Sequence, residues 1–173
     1  SYKELREKSL ANEFIPGCEK CYYEESIGHK SLRQEFNEEY DFTIGLQYLE
    51  IGMDNLCNLV CDGCNSEFST SWISKENLIY GSSKNGYLST EDITSVPMSV
   101  RKIVFLGGEP LITKRHLDIL NLHTKPANCE VVYNTNSSFL PDKTCMEVWK
   151  KFKSVNFIIS IDGVGKVNET VRG

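Results

Sequence analysis

Three apolar runs constrain this chain most: Arg101–Leu106 (RKIVFL), Cys129–Tyr133 (CEVVY) and Val155–Ile161 (VNFIISI) begin 28 and then 26 residues apart. They are near-continuous stretches rich in Val, Ile and Phe, as strands covered on both faces read, and each step has room for one strand, one helix and a return loop. A fourth run, Leu46–Gly52 (LQYLEIG), precedes them, and helix-friendly stretches lie between, at Glu67–Tyr80, Thr113–Leu122 and Asp142–Phe152. The expected fold is α/β, built of parallel βα units. Gly81–Ser99 carries the turn signals Asn85-Gly86 and Pro97, with a short helix expected near Glu91–Val96 under a Thr90 cap. Ser1 to about Tyr40 is charged and helix-friendly, with Tyr22, Tyr23, Ile27, Leu32 and Phe36 at helical spacing after a Pro16-Gly17 turn. Only VGKVNETVRG follows the strongly apolar Val155–Ile161, which leaves that strand near an edge, so the expectation is a chain cut short from a longer parent.

At 173 residues the chain has room for one domain or one and part of another, and 40% hydrophobic residues exclude disorder throughout. Nineteen Lys and Arg against 24 Asp and Glu give a formal charge of -5, hence no general pull toward nucleic acid or anionic membrane. No apolar run approaches the roughly 20 residues of a membrane helix, and the start SYKELREK is no signal peptide. A soluble, cytoplasmic protein is expected.

In parallel βα folds the chemistry gathers at the carboxyl ends of the strands. After the first run comes MDNLCNLVCDGC, after the second GGEP, after the third NTNS and after the fourth DG, so all four signals fall on one face. Of seven cysteines, Cys57, Cys61 and Cys64 form C-x3-C-x2-C within one loop. A structural zinc site normally takes four ligands, whereas a four-iron cluster held by three leaves one iron free. Zinc and unligated thiols stay open on spacing alone. Gly107 and Gly108 lack Cβ atoms and let the backbone approach a ligand, Glu109 offers a carboxylate to an ammonium partner, and Pro110 fixes the loop exit. Alone, GGEP reads as an ordinary strand-to-helix turn.

Together CNLVCDGC, FLGGEPL and SIDG make the segment from about Leu46 to Gly173 resemble the radical S-adenosylmethionine (radical SAM) enzymes. The resemblance implies a (β/α)6 partial TIM barrel over residues 43–173, of which four βα units are present. It implies that Cys57, Cys61 and Cys64 hold a [4Fe-4S] cluster whose fourth iron chelates SAM. One-electron reduction would cleave SAM to methionine and a 5'-deoxyadenosyl radical that abstracts hydrogen from the substrate. Gly107, Gly108, Glu109 and Pro110 match the segment contacting the methionine amino group. Asn134, Asn136, Ser160 and Asp162 match strand-end positions that face SAM or substrate, although turn and cap chemistry also uses such residues. Gly63 departs from the family, which often has an aromatic or large apolar residue before the third cysteine.

Cys18 and Cys21 form C-x2-C, and PGCEKCYYEE followed by SLRQEFNEEY resembles segments of radical SAM proteins with a twitch or SPASM-type module. That likeness makes residues 1–42 the helical remnant of such a module and implies an auxiliary iron-sulfur cluster in the full-length protein. Thioredoxin-type exchange is the rival, but such a motif follows a strand in a βαβ context. The implied substrate class is a peptide or protein, and the implied reductant a flavodoxin or ferredoxin. A zinc-binding interaction module using the five clustered cysteines, and a SAM-binding fold without catalysis, are the alternatives. His29, His116 and His123 lack partners at metal spacing and read as surface or packing residues. Trp72, Trp149, Cys129 and Cys145 read as core, Lys150, Lys151 and Lys153 as a solvated helix end, and Arg33 with Glu35, Glu38 and Glu39 as a solvated face.

Overall fold

A computed structural model describes residues 2–11, 13–83 and 93–173. Two compact units are present, Ser1–Gly45 and Leu46–Gly173. In the first, helices α1 (Tyr2–Leu10), α2 (Glu19–Ser26) and α3 (Leu32–Glu39) are followed by a 3-10 turn at Phe42–Ile44. Gly17, at φ 95°, supplies the left-handed step before α2. A capping box starts α3: the Ser31 hydroxyl accepts the Gln34 N–H while the Gln34 side chain accepts the Ser31 N–H. Arg33 corrects the expectation of a solvated face, because its half-buried guanidinium pairs with Glu25 and lies 5.3 Å from the Tyr22 ring centroid. That pairing and the Ser31 hydroxyl hold the Glu25 carboxyl below its ordinary range. The helices form where helical spacing placed them, but Tyr23, Ile27 and Leu32 face solvent.

The second unit carries strands β1 (Tyr48–Gly52), β2 (Lys102–Leu106), β3 (Glu130–Thr135) and β4 (Ser154–Ile159), all parallel and in the order β1-β2-β3-β4. Helices α4 (Trp72–Tyr80), α5 (Arg115–Asn121), α6 (Lys143–Trp149) and α7 (Lys166–Arg172) follow the strands in turn. Register aligns Ile51 with Phe105, Phe105 with Tyr133, and Tyr133 with Phe157, so the strands finish together and their loops emerge side by side.

The core lies between the sheet and α5 and α6, with Ile103, Phe105, Val131, Tyr133, Leu120 and Trp149 buried. Its centre is polar but satisfied. Trp149 Nε1 donates to the Tyr133 hydroxyl at 3.0 Å, and that hydroxyl lies 2.7 Å from His116 Nδ1. Since an indole N–H can only donate, the Tyr133 hydroxyl keeps its own hydrogen available for His116 Nδ1, which accepts it when the imidazole is protonated at Nε2. Burial pushes His116 down to about 4 and the Tyr133 phenol upward. Cys129 and Cys145 are buried as expected, and burial pushes the Cys129 thiol up to about 12. His123 packs with Nε2 at 2.8 Å from the Val100 carbonyl, while His29 is exposed.

Burial on both faces holds for β2 and β3 and fails for β4, whose Phe157, Ile158 and Ile159 remain 42%, 56% and 50% exposed. The described strands form an open sheet with β1 and β4 at its edges. Thr90 and the start of the helix expected near Glu91–Val96 lie outside the described residues; Ile93–Val96 is not helical, and Val96 forms a bridge with His123. Among the described residues no helix is long and apolar enough to cross a membrane.

Candidate functional site

The loop after β1 has no strand or helix of its own from Met53 to Thr70, so its shape comes from neighbours. From β2, the N–H groups of Gly108 and Glu109 donate to the carbonyls of Asp54 and Leu56, both at 2.8 Å. From the turn before α4, the hydroxyls of Ser71 and Thr70 donate to the Cys57 carbonyl at 2.7 and 3.2 Å, and Ser69 donates to the Leu59 carbonyl at 2.7 Å. Trp72 Nε1 donates to the Cys61 carbonyl at 3.0 Å. At the far end, the carbonyls of Arg172 and Val171 accept the N–H groups of Val60 and Asp62 at 3.3 and 2.8 Å. Trp72 is thus only half-buried and fastens this loop, a correction to the core role expected for it. The stretch 67–71 likewise turns instead of extending α4, because its Ser and Thr side chains are committed to the loop.

Cys57, Cys61 and Cys64 line one cavity of about 450 Å³ together with Gly63, Gly107, Gly108, Asn134, Asn136, Ser160 and Asp162. All three thiols are free and half-buried, and burial raises the Cys64 thiol above its ordinary pKa. They sit around the cavity; among the described residues no three His, Cys, Asp or Glu side chains are grouped to hold a single metal ion. Asn136 Nδ2 lies 3.7 Å from Cys57 Sγ, and Arg172 Nη1 lies 3.9 Å from Cys61 Sγ. Three sulfur donors, two of them next to N–H groups, suit an anionic thiolate-bound centre.

The glycines of GGEP line the cavity and also serve a packing need. A Cβ on Gly107 would lie 2.5 Å from the Asp54 carbonyl oxygen, and one on Gly108 would lie 2.4 Å from that of Leu56. Their missing side chains let two loops pack backbone to backbone, which seats the cysteine loop against β2. Glu109, 2% exposed, turns its carboxylate toward β3: Oε1 accepts the Thr135 hydroxyl at 2.8 Å and the Leu111 N–H at 3.1 Å, and Oε2 accepts the Asn136 N–H at 2.7 Å. Pro110 is buried beside it. Thr135 also accepts the Ser137 N–H at 2.9 Å, which supports Ser137 at φ 62°. So Glu109 and Thr135 place Asn136, whose amide then reaches Asn58 Oδ1 at 3.0 Å.

Sequence reasoning passed over Thr70, Ser71, Thr135, Arg172 and Phe68, the last an exposed aromatic on the cavity wall. The Ser69-Thr70-Ser71 run was a usable signal, since such residues cluster where backbone groups need side-chain partners. Cys18 caps α2 and Cys21 lies in its first turn, both half-buried in the first unit.

No family model matches the chain. Over 103 residues, 56% of the chain, it is 32% identical to a GTP 3',8-cyclase of Sulfurovum sp. (strain NBC37-1), covering 28% of that protein. Over 72 residues, 39% of the chain, it is 32% identical to a GTP 3',8-cyclase of Aliarcobacter butzleri (strain RM4018), covering 20% of that protein. These two relatives support the radical SAM superfamily that the sequence motifs resemble. The chain spans 28% and 20% of these curated relatives' lengths, and Cys57, Cys61, Cys64, Gly107, Gly108, Asn134, Asn136, Ser160 and Asp162 line one cavity at the strand ends.

Proposed function

We propose that the chain carries the cofactor-binding part of a radical SAM enzyme, in which Cys57, Cys61 and Cys64 hold a [4Fe-4S] cluster. The observation that carries this is the convergence of three thiols, the GGEP turn and the ends of β3 and β4 on one cavity. A cluster held by these thiols would supply one-electron reduction of SAM and, through it, hydrogen abstraction from a substrate. The chain's own part is placement. Gly107 and Gly108 seat the cysteine loop, Glu109 and Thr135 hold Asn136 at the rim, and Asn134, Ser160 and Asp162 offer polar groups to the methionine and ribose ends of SAM. Further strands completing a partial (β/α)6 barrel would cover β4.

The substrate we infer is a peptide or protein, on the likeness of PGCEKCYYEE to twitch- and SPASM-bearing proteins, with Cys18 and Cys21 ligating an auxiliary cluster there. A nucleotide is the competing class, since both relatives are named for GTP. Flavodoxin or ferredoxin is the proposed electron donor. Anaerobic reconstitution with iron and sulfide should give a brown protein absorbing near ~400 nm. Reduction with SAM should yield 5'-deoxyadenosine, lost in Cys61→Ala. A colourless protein with stoichiometric zinc would support the interaction-module alternative instead, and consumption of GTP in the same assay would replace the peptide reading.

A further inference from the structure

We propose that Arg172 is a positioning residue that sets the reduction potential of the cluster through Cys61. The proposal rests on the reading that Cys57, Cys61 and Cys64 hold that cluster. Arg172 Nη1 lies 3.9 Å from Cys61 Sγ, and its Nε lies 2.7 Å from Asp162 Oδ2, an ion pair without a well-aligned hydrogen bond. The arginine side chain is 17% exposed and the aspartate 43%. Its main chain is fixed as well, because the Arg172 and Val171 carbonyls accept the N–H groups of Val60 and Asp62, the two residues flanking Cys61. The guanidinium is therefore tied to the loop from behind and to Asp162 from the side, with one sulfur in front of it.

The three sulfurs are not equivalent. Cys57 faces the neutral amide of Asn136, and Cys64 has its thiol 3.7 Å from the Asn65 carbonyl, so Cys61 alone among them has a cation beside it in the described residues. Adding one electron to an iron-sulfur cluster raises the negative charge on its thiolates, and hydrogen bonds and charge at those sulfurs shift the potential. A guanidinium keeps its charge at any working pH and favours the reduced form. Asp162 opposes it in part. The pair thus makes a prediction of opposite signs: removing the cation lowers the potential, and removing the carboxylate raises it.

The test is a dithionite titration, followed by electron paramagnetic resonance and without SAM, of the reconstituted wild-type chain and of Arg172→Gln, Arg172→Lys and Asp162→Asn. Dithionite supplies the single electron each cluster takes up. In Arg172→Gln the ratio of reduced to oxidised cluster at fixed potential should fall about tenfold, or 59 mV for a one-electron couple. Arg172→Lys should fall between it and wild type, and Asp162→Asn should move the other way. Unchanged potentials at full iron content overturn the proposal, as do shifts of one sign in both Arg172→Gln and Asp162→Asn, the mark of altered loop packing. If Arg172→Gln fails to fold, the sign in Asp162→Asn decides. A wild-type chain that takes up no cluster overturns the cysteine reading itself, and this proposal with it.

Discussion

Gly108→Ala isolates the packing of GGEP on the cysteine loop. The added methyl would sit 2.4 Å from the Leu56 carbonyl oxygen, 2.6 Å from its carbon and 2.8 Å from the Asn55 carbonyl carbon, where ordinary contact begins at 3.4 Å. All three are backbone atoms, so no side chain can swing aside and the two loops must part by about 1 Å. That motion lengthens both 2.8 Å bonds, Gly108 N–H to Asp54 and Glu109 N–H to Leu56, beyond hydrogen-bond range. Each contributes about 1 kcal/mol net, and disturbing the buried Glu109 carboxylate and its three donors adds about 1.5–3 kcal/mol, for a total of about 3.5–5 kcal/mol. Urea unfolding of the metal-free chain measures this. Gly63→Ala is the control, because its Cβ meets nothing within 4 Å, and it should stay within about 0.5 kcal/mol of wild type. The reasoning is refuted if Gly108→Ala is as stable as Gly63→Ala and takes up iron equally well.

Stability should also depend on His116. Its folded-state pKa is about 4, below the 6.5 of an exposed imidazole, so the unfolded chain binds the proton first; stabilisation present above pH 6.5 is lost as pH falls toward 4 and the loss then levels off. At about 1.4 kcal/mol per pH unit this amounts to about 3 kcal/mol. Urea unfolding from pH 7 to pH 4 should show that excess slope in wild type and not in His116→Gln, and parallel curves would count against it. Glu109→Gln replaces one acceptor oxygen by an amide donor and strands either the Leu111 N–H or the Asn136 N–H, at about 1.5–3 kcal/mol. The measurement is amide exchange at Asn136, which should be faster than in wild type.

How much of this could be read from the chain differs by element. β2 and β3 were legible to within one or two residues because burial on both faces leaves a continuous apolar run, visible without a partner. β4 shows the limit: its run is as apolar as the others, yet what covers a strand is decided by elements elsewhere. The cysteine loop and GGEP were legible as motifs, and their convergence follows from the strand register. What the loop hangs from was not legible, since Arg172 reaches Cys61 across 111 positions and no spacing rule spans that distance. Trp72 misled for a related reason: an indole among apolar neighbours reads as core, and only the Cys61 carbonyl in front of its N–H gives it another task. That the GGEP glycines also seat the cysteine loop was not legible, because a sequence shows a missing side chain but not which surface fills its place.

The cysteine loop is gripped by pieces from the turn after β2, the residues ahead of α4 and the last turn of α7, with no local scaffold of its own. While the chain is being synthesised, its three thiols therefore emerge on slack polypeptide and acquire their arrangement only when α7 comes home. Any centre those thiols hold would thus depend on a contact made 111 positions further along the chain.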